Sequence, residues 1–246
     1  MRIAVAGGTG VVGHRTVDAI RNAGHEAVVL SRSTGVDLVS GRGLDAALAG
    51  ADAVIDTANI STVKATEAVE FFTAATGNLV TSAAEAGVRH VVVLSIVGID
   101  RMPVDYYAGK LAQEKIVETS TVPWTIQRAT QFHEFAGQIY DRAKIGPLHL
   151  ALRARTQPVA ARDVAERLAA LAVGPAQGRT RDLAGPREEA LDDMIIAFAR
   201  SNGHRGWIPR VSLPTAQMKG MRAGLALPGP DADLTAQTFA DWLAQD

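Results

Sequence analysis

At 246 residues, with 47% hydrophobic and 21% charged residues, the chain has the make-up of an ordinary globular protein, long enough for one large α/β domain with an appendage. A net charge of -1 with scattered Lys and Arg gives no basic footprint for nucleic acid, and no apolar run approaches the roughly 20 residues needed to span a membrane. The absence of cysteine excludes disulfides, thiolate metal sites and cysteine nucleophiles; glycines interrupt the apolar stretch after Arg2, so it reads as strand and turn, not as a signal peptide, and a cytoplasmic location is expected.

Arg2 to Ala6 is a short apolar run bounded by glycines, the pattern of a strand buried on both faces of a parallel sheet. Val11 to Ala23 carries apolar residues at helical spacing and stops at Gly24, and a second apolar run, Ala27 to Leu30, follows. The alternation continues with a strand at Ala53 to Ile55, a helix from about Lys64 to Ala86, a strand at Val91 to Leu94, a helix from about Tyr106 to Thr119 and a strand near Trp124 to Gln127. Strands alternating with helices imply right-handed crossovers and a doubly wound parallel α/β sheet. After about Arg128 the rhythm breaks into mixed loop and helix, helices near Arg162 to Val173 and Ala190 to Asn202, a strand-like WIPRVSL and a C-terminal helix ending TFADWLAQD. Residues 1–145 are therefore expected to form the sheet domain. Residues 146–246 are expected to form a small C-terminal α+β lobe over the carboxyl ends of the strands, with a soft border that the chain can cross.

The loop AGGTGVVG between the first strand and helix can be parsed as Gly8-x-Gly10-x-x-Gly13 or Gly7-x-x-Gly10-x-x-Gly13. Either way a strand delivers glycines into a helix N-terminus, where backbone N–H groups and the helix dipole meet a pyrophosphate; this context defines a dinucleotide-binding Rossmann fold, with Thr9, Val11 and Val12 completing the loop. Where a NAD-preferring site places an acidic residue after the second strand, this chain reads Ser31, Arg32, Ser33, a guanidinium flanked by hydroxyls suited to a 2′-phosphate. NADP(H) is the expected cofactor. NAD(H) stays open, since Asp37 offers another route to the ribose.

AGGTGVVG, SRS, VDL at Val36 to Leu38, TAN at Thr57 to Asn59, the strand ending at Ser95, YYAGKLAQE and VPWTIQRATQFHEF together resemble an atypical short-chain dehydrogenase/reductase of the NmrA-like, NAD(P)-binding group, over nearly the whole chain. The resemblance implies the Gly7, Gly10, Gly13 parse with Gly8 as an extra turn glycine. It also puts Asp37 and Leu38 near the adenine, Thr57, Ala58 and Asn59 along the cofactor, and Gln131 and Phe132 over the nicotinamide. It further implies that Tyr106 exchanges a proton with the substrate oxygen while hydride passes to or from the nicotinamide, and that Ser95 orients the substrate carbonyl. Lys110, one helical turn on, would lower the tyrosine pKa and hold the nicotinamide ribose.

Tyr-x-x-x-Lys occurs twice, at Tyr106–Lys110 and Tyr140–Lys144; position beside the strand that carries Ser95 favours the first, with Tyr107 a rival to Tyr106 as the acid. His133 is an alternative proton donor, although a histidine between phenylalanines is more often simply packed. Glu188, Glu189, Asp192 and Asp193 read as helix-start and surface charges, and the histidines show no ligand spacing, so no metal is expected. The expected function is an NADP(H)-dependent oxidoreductase reducing a small carbonyl or quinone-like molecule, as a monomer or homodimer. A nonenzymatic dinucleotide sensor and a sugar-nucleotide epimerase or dehydratase are the alternatives.

Overall fold

The computed structural model describes residues 1–245. The first part of the chain forms β1 (Arg2–Ala6), α1 (Gly13–Asn22), β2 (Glu26–Leu30), α2 (Leu44–Leu48), β3 (Ala53–Asp56), α3 (Ala65–Glu85), β4 (His90–Ile96), α4 (Tyr106–Glu118) and β5 (Trp124–Ala129). Then come α5 (Phe135–Arg142), β6 (Lys144–Ile145), β7 (Leu148–His149), β8 (Ala151–Leu152), β9 (Arg155–Thr156) and α6 (Ala161–Val173). Beyond these lie β10 (Gly178–Arg179), β11 (Leu183–Ala184), β12 (Glu189–Ala190), α7 (Leu191–Ser201), β13 (Arg210–Val211), α8 (Ala216–Arg222), β14 (Asp233–Leu234) and α9 (Phe239–Leu243).

The main sheet is eight-stranded and parallel, ordered β2-β1-β3-β4-β5 and continued past β5 by β10, β11 and β14. Its strands obey the period of two. Ile3, Val5, Ile55 and Val92 join one core with Val17 and Ile20 of α1 and Leu168 of α6, while Ala4, Ala6, Val54, Val91 and Val93 join the other with Leu79 of α3 and Val117 of α4. Burial on both faces explains why these strands read as unbroken apolar runs, each buried Val, Ile or Leu contributing about 1.5–3 kcal/mol. A third core, containing Ile99, Met102, Tyr107, Leu191, Met194, Ile195, Met221 and Trp242, lies under the C-terminal segments. Among the described residues no helix is long and apolar enough to cross a membrane.

The expected doubly wound sheet is present, with long-element boundaries within a residue or two of those read from the sequence. Several features depart from that reading. Helix α1 begins at Gly13 because residues 7–12 are used by the loop, WIPRVSL contributes only the strand pair of β13 with β8, and α2 and α8 had no counterpart. Residues beyond 145 also return to the first sheet as β10, β11 and β14 and cover it with α6. Two-residue strands carry no periodicity to read. Since β1 lies between β2 and β3, the chain reverses direction across the sheet there, and the crevice outside their carboxyl ends is where such sheets take ligands.

Candidate functional site

Three loops converge on that crevice. In the first, Gly7 has φ 72°, and a Cβ there would sit 2.8 Å from the Ala58 Cα and the Thr57 carbonyl oxygen; a Cβ on Gly13 would overlap the Gly7 carbonyl. The Gly10 N–H donates to the Gly7 carbonyl at 2.9 Å and Gly10 is otherwise open, so the tightest steric demands fall on the outer two glycines of the Gly7-x-x-Gly10-x-x-Gly13 parse. Gly8 is buried against Val29, and Thr9 is exposed. The N–H groups of Val11 and Val12 have no partner among the described residues, and α1 starts with neither a side-chain cap nor an acidic residue in its first turn. An anion there meets free donors and an uncompensated dipole.

In the second loop, Ser31 is extended and Arg32–Thr34 form a 3₁₀ turn held by the Thr34 hydroxyl, which donates to the carbonyls of Val29 and Ser31. The Ser31 and Ser33 hydroxyls meet at 2.8 Å. Arg32 is exposed, and its guanidinium has no hydrogen-bond or ion-pair partner among the described residues. Asp37 turns inward to its own loop, where hydrogen bonds from the Val39 N–H and the Ser40 hydroxyl hold its carboxyl below the ordinary range. Asn78 of α3, which sequence reading missed, donates to the Leu38 and Val39 carbonyls and fixes this segment.

In the third loop, the Thr57 hydroxyl and N–H both donate to the Ala6 carbonyl, and the Ala58 N–H donates to Asp56 Oδ1 at 2.9 Å. Asn59 Oδ1 accepts from the Tyr106 hydroxyl at 2.6 Å, which ties α4 to the loop after β3.

Tyr106 opens α4 immediately after Asp105, whose φ of 50° is the only positive value at a non-glycine residue among those described. Its ring packs edge-on to Phe72 and Tyr107. The lysine was expected to lower its pKa. Instead burial, with Asp56 and Tyr107 nearby, pushes the phenol well above its ordinary value, because the Lys110 ammonium is turned elsewhere. Lys110 is 4% exposed; its Nζ donates to the Leu94 carbonyl at 2.6 Å and to Gln113 Oε1, and lies 4.8 Å from the Phe72 ring centroid. Burial pushes it down to about 8 against the opposing pull of Asp56 and Glu114. Ala68 of α3 fills the space where Gly109 has no side chain, which lets the two helices approach closely beside Lys110. Ser95 of β4 is buried and its hydroxyl has no partner among the described residues.

Tyr107 is buried in the third core and its hydroxyl accepts from Gln131 Nε2 at 3.1 Å, while Gln131 Oε1 accepts from Thr156. Phe132 is half-buried against the first core. His133 is fully buried between Phe239 and Trp242, with Nε2 3.3 Å from the Gln237 carbonyl and its pKa pushed down by burial. Its Nδ1 has no partner among the described residues. Tyr140 lies against His149 and His204, and Lys144 sits in an exposed two-residue strand, so the second Tyr-x-x-x-Lys is not part of this crevice. The acidic residues at α7 are not merely solvated: Glu188 pairs with Arg155, Glu189 with Arg187, and Asp192 and Asp193 with Arg210.

Beneath Lys110 runs a buried chain that the sequence reading missed. Gln113 Nε2 donates to Asp56 Oδ2 at 2.8 Å and to the Thr76 hydroxyl at 3.2 Å, and that hydroxyl donates to Asp56. A carboxylate closing the otherwise apolar strand AVID, and a glutamine three residues beyond the lysine on its own helix, were the signals available.

A glycine-turned loop at the reversal point of a doubly wound sheet, with free N–H donors at an uncapped helix start, defines a nucleotide-binding Rossmann protein. More narrowly, the chain belongs to the NAD(P)H-binding family, whose model matches residues 7–175, and its cofactor is a nicotinamide dinucleotide. It is 32% identical over 144 residues to a (4-alkanoyl-5-oxo-2,5-dihydrofuran-3-yl)methyl phosphate reductase of Streptomyces griseus; the match takes in 53% of this chain and only about half, 48%, of that protein. Among solved structures it resembles a UDP-N-acetylglucosamine 4-epimerase from Bacillus cereus, with TM-score 0.71 and 18% identity over 100% of this chain and 96% of that one. It also resembles an NADPH-dependent quinone oxidoreductase from Escherichia coli in complex with NADPH, with TM-score 0.70 and 15% identity over 99% of each chain. At such identities these two likenesses are of fold alone.

Proposed function

We propose that this chain is an NADP(H)-dependent oxidoreductase that reduces a small carbonyl or quinone-like molecule, with Tyr106 as proton donor, Ser95 as the group that orients the substrate oxygen and Lys110 as the supporting cation. The observation that carries the reading is Tyr106 itself, a half-buried phenol at the start of α4 whose hydroxyl donates to Asn59 Oδ1 in the loop after β3. The phenol carries its proton across the neutral range, as a donor in the direction of reduction must, and bound cofactor and substrate would have to draw its raised pKa back toward working pH. The nicotinamide supplies the hydride when bound. On the protein side, the unpartnered Ser95 hydroxyl has a free donor for a carbonyl oxygen, and Val11 and Val12 have free N–H groups for a pyrophosphate. The unpaired, exposed Arg32 with its serine hydroxyls supports a 2′-phosphate and thus NADPH over NADH. Residues 1–145 would carry the dinucleotide, with 146–246 walling the substrate.

The relative from Streptomyces griseus is by its name a reductase, which agrees with this reading. A sugar-nucleotide epimerase working on retained NAD fits Arg32 less well. The burial of Lys110, with two of its N–H groups spent on Leu94 and Gln113, favours a second reading, a nonenzymatic dinucleotide sensor. Calorimetric titration with NADPH and NADH, followed by cofactor absorbance with a panel of quinones, aldehydes and ketones, separates the two. Tyr106-dependent NADPH oxidation makes the protein a reductase. Tight binding without turnover makes it a sensor.

A further inference from the structure

We propose that Asp56 and Gln113 are positioning residues of this site: Asp56 fixes the orientation of the Gln113 amide, and Gln113 in turn holds the Lys110 ammonium against the Leu94 carbonyl and the Phe72 ring. The argument is one of hydrogen-bond polarity. An ionised carboxylate only accepts, so Gln113 must present its NH₂ to Asp56 Oδ2, which leaves its carbonyl oxygen to face Lys110. The flipped amide would set NH₂ against ammonium and oxygen against carboxylate, two repulsions in a dry interior. Asp56, Thr76, Gln113 and Lys110 are 1%, 1%, 0% and 4% exposed, so no water relieves a wrong arrangement.

The chain has a chemical purpose that a direct ion pair would not serve. With the amide interposed, the groups that accept from Lys110 are the neutral oxygens of Gln113 and Leu94, and the ammonium retains a third N–H. The other Asp56 oxygen accepts the Ala58 N–H, so one buried carboxylate sets both the lysine and the Thr57–Asn59 loop. The charged groups facing Lys110 are Asp56 from β3 and Glu114 from its own helix; α3 contributes the uncharged Phe72 and Thr76, and β4 the Leu94 carbonyl.

The test reads Lys110 directly and does not depend on turnover. The chain has five lysines (Lys64, Lys110, Lys115, Lys144 and Lys219), so full-length protein carrying [ε-¹³C]lysine gives a short set of resonances, with Lys110 assigned through Lys110→Arg. Wild type should titrate near the value of about 8 that burial imposes. Removing the charge in Asp56→Asn should lower the Lys110 midpoint by about one unit. Gln113→Met, close in volume and uncharged, should lower it too, and it carries the test alone if Asp56→Asn does not fold by circular dichroism. An unchanged midpoint in a folded variant overturns the proposal. The kinetic arm rests on the reductase reading: the alkaline limb of kcat/KM should move down in step with the midpoint while KM for NADPH changes little. A wild type without turnover sinks that reading and leaves the titration to judge the positioning pair.

Discussion

At the scale of single residues, the proposed reductase divides its labour between a proton donor and a charge. Burial against Phe72 holds Tyr106 as a phenol, so Tyr106→Phe should reduce kcat by about 10²–10⁴-fold, while calorimetry finds NADPH affinity nearly unchanged. Should Tyr107→Phe be the inactive variant instead, the proton donor is the residue bonded to Gln131. Lys110 stays charged below its value of about 8, so activity that depends on the ammonium should be full at neutral pH and decline as pH rises through that value. Arg32 acts alone: Arg32→Ala should weaken NADPH by about 1.5–3 kcal/mol and leave NADH within about twofold, and equal losses for both would rule out the 2′-phosphate role.

At the scale of elements, α4 enters the site through strain. Asp105 at φ 50° and ψ -132° lies in a region that side chains avoid, directly before Tyr106. Asp105→Gly should relieve it and raise the urea midpoint by an amount equivalent to about 0.5–1 kcal/mol, the gain reduced by glycine's greater freedom in the unfolded chain. Strands β1, β3 and β4 were legible in the sequence because a strand buried on both faces is apolar throughout, and helices α3, α4, α6 and α7 because they are long enough to show their period. Helix α8 and the strands after β5 were not, being set by tertiary contact over two to seven residues. The same divide runs through the site. AGGTGVVG and YYAGK are local patterns, whereas Asp56, Thr76 and Gln113 come from three elements and meet only once α3 and α4 are packed.

At the scale of the whole molecule, buried charge is confined to a few compensated places. Glu114 is fully buried and accepts from Arg128 at 2.9 and 2.8 Å, with Arg179 at 2.9 Å. Glu114→Gln should cost about 1.5–3 kcal/mol in urea unfolding, because it removes the charged acceptor of Arg128 and Arg179 while Asp100 and Glu118 still pair with them. His90 and His133 are buried, and burial lowers both pKa values below the ordinary 6.5. Below about that pH the unfolded chain binds protons that the folded chain does not, so their contribution is complete above it and is lost as pH falls. Urea midpoints should therefore decline from pH 7.5 to 5.5, with a shallower slope in His133→Phe, whose ring suits the stack of Phe239 and Trp242.

The strands that extend the sheet past β5 belong to residues 178–184 and 233–234, with more than forty residues of the other core threaded between them. The protein is in this sense stitched. A cut near residue 145 would bare the β5 edge and invite pairing with other chains, so residues 146–246 cannot be shed or exchanged as a cassette. Insertions are better borne at the exposed turns of the threaded segment, such as residues 202–207, which join elements of the third core without entering the main sheet.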